Sequence, residues 1–332
     1  MNPAIQGLLT IVIGVGACVG YFYFSNQFLD KVLFPPKGPN AGRNINRANQ
    51  IRPWLFLFPA MFALGLYLAY PVVETLRLSL TDRQQGGAFV GLANFTQMFG
   101  EAKFWEAMRN NMMWLIVVPA MSTAFGLLAA QLTDRINWGN FAKSIIFMPM
   151  AISFVGAGVI WKLVYEARPE DVAQIGVINA VVTGLGGEPQ TWLTIPFWNN
   201  FFLMIVLIWI QTGFAMVILS AALRGIPEET IEAAILDGAN PFQIFFKVKV
   251  PQIIPTIVVV WTTITLTVLK VFDIVFAMTN GQWETQVLAN YMYDKMFRAG
   301  DWGVGSAAAI IIMLLVSPIL VWNVYNARKE MR

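Results

Sequence analysis

Long apolar runs follow one another along most of the chain, separated by short polar segments. A helix that crosses the roughly 30 Å hydrocarbon core of a bilayer needs about 20 mostly apolar residues. Runs of that length predict seven transmembrane helices, at about 6–28, 54–80, 111–133, 144–165, 199–223, 254–279 and 304–326. The pattern therefore predicts an all-α polytopic membrane protein.

The charges between the runs predict how the helices are oriented. Lys and Arg close to a membrane helix are retained on the cytoplasmic side. Segment 30–52 and the tail after 326 are basic, whereas segment 166–198 is acidic. We therefore expect 30–52, 134–143, 224–253 and the C-terminus in the cytoplasm, and 81–110, 166–198, 280–303 and the N-terminus outside.

Composition excludes several classes of function. The 332 residues are 57% hydrophobic and only 12% charged, whereas soluble domains are nearer a quarter charged. Histidine is absent and Cys18 is the single cysteine, which removes histidine-dependent nucleophiles and the commonest metal ligand. The net charge of +3 is scattered rather than gathered into a nucleic-acid patch. We expect neither an enzyme nor a nucleic-acid-binding protein.

The polar segment 224–255 predicts two short helices joined by a turn. Pro227 suits the first helical position, and Glu228 and Glu229 follow in the first turn, where carboxylates complement the helix dipole. Gly238, after Asp237, suits the left-handed conformation that ends a helix. The same signals then recur, because Asn240 and the residues after it form a capping-box sequence, Asn-Pro-Phe-Gln.

Helices this short are unstable alone in water, where about 12 to 15 residues are marginal, so they must pack against something. The second one carries Phe242, Phe245 and Phe246. Two alternatives remain on physical grounds. The segment either folds back on its own membrane domain or docks a partner.

The residues in this segment carry a resemblance to a known family. Glu232-Ala233-Ala234, Asp237-Gly238-Ala239 and Val250-Pro251 resemble the EAA motif of binding-protein-dependent ABC importer permeases. Leu269-Lys270-Val271-Phe272-Asp273 and Thr279-Asn280-Gly281 resemble carbohydrate permeases of the MalF type, and within them the alpha-glucoside permeases most. The likeness covers about 105–327.

The resemblance implies a type I ABC importer permease in the bacterial cytoplasmic (inner) membrane, a sugar importer subunit with no enzymatic activity. Its implied partners are a second homologous permease, two ATP-binding subunits, an extracytoplasmic sugar-binding protein and membrane lipid. ATP and Mg would be bound by the ATPase subunits and no cofactor by this chain, which has no Walker-type phosphate loop. The implied coupling residues are Glu228, Glu232, Ala233, Ala234, Asp237, Gly238, Ala239 and Pro251.

The resemblance also suggests a division of the chain. An extra helix and basic loop occupy 1–52, a helix and outside loop occupy 53–104, the permease core occupies 105–327, and the tail is 328–332. MalF-type proteins with eight helices begin inside and carry a large outside insertion. This chain offers about seven helices and only modest loops.

Polar and aromatic side chains in the fifth and sixth predicted helices suggest a substrate pathway. Trp209, Gln211, Thr212 and Phe214 lie on the fifth predicted helix, and Lys270 and Asp273 on the sixth. Sugars need hydrogen-bonding groups together with aromatic rings on which their C–H faces stack. Lys270 and Asp273, three apart, share a helix face, so they either neutralise one another or face a cavity.

An ungapped alignment from the coupling loop extends the comparison with maltose permeases. It places Gln211 and Phe214 at positions that resemble sugar-contacting sites. The matching positions on the next helix hold Ile264, Val268 and Val271, all apolar, so contacts there would come from the partner permease.

The sequence thus predicts the permease subunit of an ATP-driven sugar importer for alpha-glucosides or related oligosaccharides. The alternative is a stand-alone secondary transporter or channel for a small polar solute. A protein of that kind is expected to contain inverted repeats, broken helices and a pathway of carboxylates in the membrane. No clear repeat is present, and the only acidic residue deep in an apolar run is Asp273, with Glu74 near the end of another.

Overall fold

The computed structural model describes residues 3–82, 86–134 and 136–330, the last of these without the side chains at 323, 324 and 326–330. Almost all of this chain is helical. The α-helices are α1 (Pro3–Phe28), α2 (Ala41–Leu64), α3 (Tyr70–Ser79), α4 (Ala93–Gly100), α5 (Ala102–Thr133), α6 (Gly139–Phe147), α7 (Phe154–Val164), α8 (Val177–Gly184), α9 (Trp198–Arg224), α10 (Glu228–Leu236), α11 (Pro241–Gln243), α12 (Val250–Gln252), α13 (Ile254–Leu269), α14 (Asp273–Met278), α15 (Leu288–Tyr293) and α16 (Trp302–Glu330).

Short segments of other structure connect these helices. Two strands pair antiparallel, β1 (Thr81–Asp82) and β2 (Ala88–Phe89), with Thr81 opposite Phe89. The 3₁₀ turns are Met148–Ala151 and Trp192–Thr194. The π-helical turns are Leu29–Leu33, Gly65–Ala69, Ile244–Lys249 and Asp294–Arg298.

The described helices give five spans long and apolar enough to cross a bilayer, or seven if two bent pairs are each one span. This confirms the predicted all-α membrane class. The helix predicted over 144–165 is not continuous, because Gly139–Ala151 and Phe154–Val164 meet at 105°. Ser153 explains the new start, since its side chain accepts a hydrogen bond from the Gly156 N–H as an N-cap.

The chain divides into two compact units, Met1–Glu74 and Thr75–Arg332. In the first unit, the Tyr21 hydroxyl donates to the Leu55 carbonyl oxygen at 2.9 Å. Arg52 also pairs with Asp30 at 2.7 Å. These contacts join α1 and the π-helical turn that follows it to α2. The predicted divisions at 52 and 104 rest on the predicted membrane helices and on the resemblance to the permease family, and they stay predictions.

The core of the second unit lies where α5, α9 and α13 pack together. Its largest fully buried side chain is Trp114, and Leu203, Met216 and Ile264 are buried with it. Gly126 of α5 lies directly against Ala215 of α9, where any side chain at Gly126 would clash with the Ala215 methyl group. Small residues allow such close backbone approach in membranes, where packing drives helix association.

The loop of residues 279–287 lies at the opposite end of α9 from α10, and we call it the outer loop because the charge pattern predicts this segment outside. Three of its non-glycine residues have positive φ, namely Asn280 (54°), Trp283 (53°) and Glu284 (61°). Such conformations cost on the order of 1–3 kcal/mol each and persist only where the surroundings impose them.

Buried asparagines impose the conformation of the outer loop. Asn110 of α5 donates to the carbonyl oxygens of Glu284 at 2.8 Å and Gln286 at 2.9 Å. Asn199 of α9 donates to the carbonyl oxygen of Trp283, and Asn200 donates to that of Glu284 at 3.2 Å. The loop is therefore fixed from beneath by two separate helices.

Candidate functional site

The first helix of the predicted coupling loop, α10, begins and ends by local chemistry. Pro227 is the N-cap, one residue earlier than predicted, and Glu228 and Glu229 occupy the first turn as expected. At the other end Gly238 has φ +78°. The Ala239 N–H donates to the Ala234 carbonyl oxygen, and the Gly238 N–H to that of Ile235, both at 3.0 Å. These bonds form a Schellman cap.

The second helix of the loop starts with the predicted capping box. The Asn240 side chain accepts from the Gln243 N–H, and the Gln243 side chain accepts from the Asn240 N–H, both at 2.9 Å. The helix runs through the π-helical turn Ile244–Lys249 to Gln252, past Pro251. It then bends by 71° into α13 at Ile253. The break thus falls two residues after Pro251.

This segment has one face packed on the membrane domain and one exposed face, so folding back does not exclude docking of a partner. Ile231 packs against the core and Ile244 is buried, so one face does fold back on the membrane domain. The other face exposes Ile235, Leu236, Phe242 and Phe246, with Leu236 at 88%. An outward apolar surface of this kind, next to carboxylates, suits a protein partner.

The predicted coupling residues lie mostly on the outward side. Glu228, Glu232, Ala233, Asp237, Gly238 and Pro251 are exposed, and Ala234 and Ala239 are half-buried. Glu232 makes no ion pair, and its carboxylate accepts no hydrogen bond, within the described residues. Its carboxylate therefore remains available to a partner.

A polar cluster that sequence reasoning missed anchors both ends of the coupling loop. Asp134, just after α5, accepts hydrogen bonds from Lys143, from Ser220 at 3.0 Å and from Arg224 at 2.8 Å. The Lys249 amine lies 3.4 Å from the Gln131 side-chain oxygen. Both ends of segment 224–249 thus reach the last turn of α5.

The electrostatics of this cluster favour an ionised carboxylate. Burial raises the pKa of Asp134, but the hydrogen bonds from Lys143, Arg224 and Ser220 lower it more, and the net pKa is lowered. No motif signals the cluster in the sequence, because Asp134 and Arg224 are 90 positions apart.

The pathway residues predicted on α9 do not form one open site. The Trp209 ring packs edge-on against Trp161 with centroids 5.7 Å apart, and Phe214 packs against the core. The Thr212 hydroxyl donates to the Ile208 carbonyl oxygen at 2.7 Å. Gln211 differs, because it is only 8% exposed and its amide has no hydrogen-bond partner among the described residues.

The prediction that Lys270 and Asp273 lie on one continuous helix over 254–279 is wrong. Helix α13 ends at Leu269, Lys270 is its C-cap, and Asp273 begins α14. Within the described chain no ion pair joins the two side chains. Each charge instead complements the dipole of its own helix end, a cation at a C-terminus and an anion at an N-terminus.

The broken helix lines a cavity of about 130 Å³. Its walls include Lys270 and Asp273 from the break and Leu207 from α9. Two of the six predicted pathway residues therefore line this cavity, and Gln211 lies one turn along α9 from Leu207. Ile264 and Val268 are fully buried in the core, which accounts for their apolar character. Within the described residues, no group of three acidic or cysteine side chains is placed to hold a metal.

Comparison with known proteins decides the family. The family described as "Binding-protein-dependent transport system inner membrane component" matches residues 122–331. The chain belongs to this family. It is therefore a multi-pass inner-membrane permease of an ABC importer, a transport component rather than an enzyme, as predicted.

Three relatives show how the permease is related to characterised systems. The alpha-glucoside transport system permease protein AglF of Rhizobium meliloti (strain 1021) is 63% identical over 99% of both chains. The osmoprotective compounds uptake permease protein GgtC of Synechocystis is 47% identical, covering 84% of this chain and all of the relative. The lactose transport system permease protein LacF of Rhizobium radiobacter is 30% identical, covering 86% and 97%.

A solved structure confirms the predicted type I importer fold. A bacterial ABC transporter involved in alginate import contains a chain that aligns with a TM-score of 0.73 at 20% identity, over 87% of this permease and 99% of that chain. The predicted alternative, a stand-alone transporter or channel, loses its support, because the relatives are subunits of ABC importers.

Proposed function

We propose that the permease forms half of the translocation pathway of an ATP-driven importer for alpha-glucosides or related oligosaccharides. The observation that carries this proposal is the 63% identity with an alpha-glucoside permease over essentially the whole chain. A second, homologous permease supplies the other half. An extracytoplasmic sugar-binding protein delivers the substrate.

Two ATP-binding subunits bind ATP and Mg. This chain couples to them through segment 224–255 and binds no cofactor of its own. Glu228 and Glu232 are four apart and share a face of α10, so they present two carboxylates to the cleft of an ATPase subunit. Basic side chains there complement them, since an unpaired carboxylate buried at an interface is costly. Leu236, Phe242 and Phe246 supply the apolar contact.

The substrate passes close to the broken helix. Lys270 and Asp273 offer a donor and an acceptor to sugar hydroxyls, and the unpartnered Gln211 amide lies nearby. Trp209, Thr212 and Phe214 support this region from α9, where their own contacts fix them. The coupling loop and C-terminus lie in the cytoplasm and the N-terminus outside, in keeping with the distribution of basic residues.

The test is uptake of a labelled sugar by the complete complex in proteoliposomes that contain ATP. We expect ATP-dependent uptake of maltose, an alpha-glucoside, with much weaker uptake of lactose, which has a beta linkage. Preference for lactose would refute the substrate class. Uptake at the same rate without ATP would refute the coupled mechanism itself.

A further inference from the structure

An exposed patch at the outer end of α5 and α9 is not used by the proposed coupling or substrate pathway. We define the outer patch as Phe197, Trp198, Trp283, Glu284 and Arg109. All five side chains are exposed, and Trp283 is 48% exposed at the tip of the outer loop. Trp198 begins α9, the helix whose other end leads into the coupling loop.

Backbone strain is concentrated at this patch. Every non-glycine residue with positive φ in the described chain lies in it or in the outer loop, namely Phe197, Asn280, Trp283 and Glu284. Phe197 has φ 68° and ψ −53°, and the Trp198 N–H donates to the Pro196 carbonyl oxygen at 2.8 Å. This is the rare classic γ-turn. Strained conformations of this kind cluster where a protein binds or switches.

The patch is rigid because buried donors hold its backbone. Asn199, two residues after Phe197, donates to the carbonyl oxygen of Trp283, so the two strained segments are joined. Asn110 and Asn200 both donate to the carbonyl oxygen of Glu284. These asparagines are almost completely buried. Their donors fix the backbone of the loop while the side chains of Trp283 and Glu284 remain exposed.

The chemistry of the patch is that of a protein-binding surface. Three aromatic rings lie beside a carboxylate and a guanidinium, with Glu284 3.7 Å from Arg109. Trp and Arg dominate the energetic centres of protein interfaces, and a rigid surface loses little entropy on binding. Tryptophans that only anchor a helix in lipid headgroups have no need of a strained, fixed loop or of an adjacent ion pair.

We propose that the outer patch is a docking surface for the extracytoplasmic sugar-binding protein, with Trp283 and Glu284 as contact residues and Asn110 as a positioning residue. This inference rests on the proposed function, because it requires a binding-protein-dependent importer whose outer end faces that partner. Among the described residues, strain and asparagine support coincide here with exposed aromatic rings.

The experiment measures the affinity of the purified sugar-binding protein for the complete complex in nanodiscs, and the ATPase stimulation that it causes. Trp283→Ala and Glu284→Lys change exposed side chains, so they leave assembly intact. We expect each to raise the Kd about tenfold or more and to lower stimulation at a fixed binding-protein concentration. Trp138→Ala is the matched control, because Trp138 is exposed near the other end of α5.

Asn110→Asp keeps the size of the side chain but removes its hydrogen-bond donor. We expect this variant to weaken binding of the sugar-binding protein, although residue 110 is buried and does not contact that partner. Unchanged affinity in both contact variants would overturn the proposal. Loss of assembled complex from the membrane with unchanged affinity would also overturn it and would identify a lipid anchor. If the wild-type complex is not stimulated at all, the proposed function itself fails.

Discussion

Asp134 accepts a hydrogen bond from Arg224 at 2.8 Å, which ties the residue after α5 to the last residue of α9. Lys143 of α6 and Ser220 of α9 share the same carboxylate. Because the coupling loop starts directly after Arg224, any displacement of α10 acts on a helix end that is fastened to two others. The cluster therefore lies between the proposed ATPase contact and the membrane helices.

Replacing Asp134 with Asn is expected to uncouple the transporter. The variant loses the charge that holds Lys143 and Arg224, at a cost of about 1–3 kcal/mol, less than for a fully buried pair because the Arg224 side chain is 60% exposed. Uptake in proteoliposomes should fall at least tenfold while ATPase activity persists. Asp171→Asn, at an exposed carboxylate, is the control, and equal uptake in the two variants would count against this role.

Reversing Glu232 to Lys is expected to abolish uptake and leave membrane insertion intact. Glu232 is exposed and its carboxylate makes no ion pair or hydrogen bond within the described residues, so we expect the change to act on a partner. Uptake and binding-protein-stimulated ATPase activity measure the effect, and Glu188→Lys in the acidic segment is the matched reversal. Normal transport by the Glu232 variant would show that the coupling role proposed for α10 is wrong.

Gly238→Ala tests the backbone conformation at the end of α10 without changing side-chain packing there. No atom lies within 4 Å of the position that a Cβ would take, but φ is +78°. A residue with a Cβ pays about 1–2 kcal/mol in this conformation, whereas Asn tolerates it better. We expect Gly238→Ala to weaken coupling several-fold and Gly238→Asn to retain most of it, as measured by uptake per ATP hydrolysed. The opposite order would show that the cap geometry is unimportant.

Exchanging Lys270 and Asp273 distinguishes an ion pair from two separate helix caps. A mutually neutralising pair survives the double exchange Lys270→Asp with Asp273→Lys. The structure predicts failure, because the exchange places an anion at a helix C-terminus and a cation at an N-terminus, each unfavourable by about 0.3–1 kcal/mol or more in a dry site. Uptake and thermal stability of the complex report the outcome. Full activity of the double variant would restore the pairing interpretation.

Local chemistry explains which features were predictable. The capping box at Asn240 and the left-handed Gly238 depend on neighbouring residues only, and the structure contains both. The tie between Asp134 and Arg224 and the support of the outer loop by Asn110 join residues about 90 and 174 positions apart. Contacts of that range are decided by helix packing, which hydropathy does not encode.

The break after Leu269 was missed for a different reason. From Thr256 to Thr279 the chain contains neither glycine nor proline, so averaged hydropathy describes one apolar helix. The interruption is imposed by surrounding structure rather than by the residues at the break.

That origin has a mechanical consequence for α13 and α14. A bend made by proline is permanent, whereas these residues retain every backbone donor needed to join the two helices into one rod. Straightening would bring Lys270 and Asp273 onto one side, with their Cβ atoms about 5–6 Å apart, and would fill the space between them. Because neither proline nor glycine fixes the bend, its angle depends on the packing of the neighbouring helices, and so does the chamber beside α9.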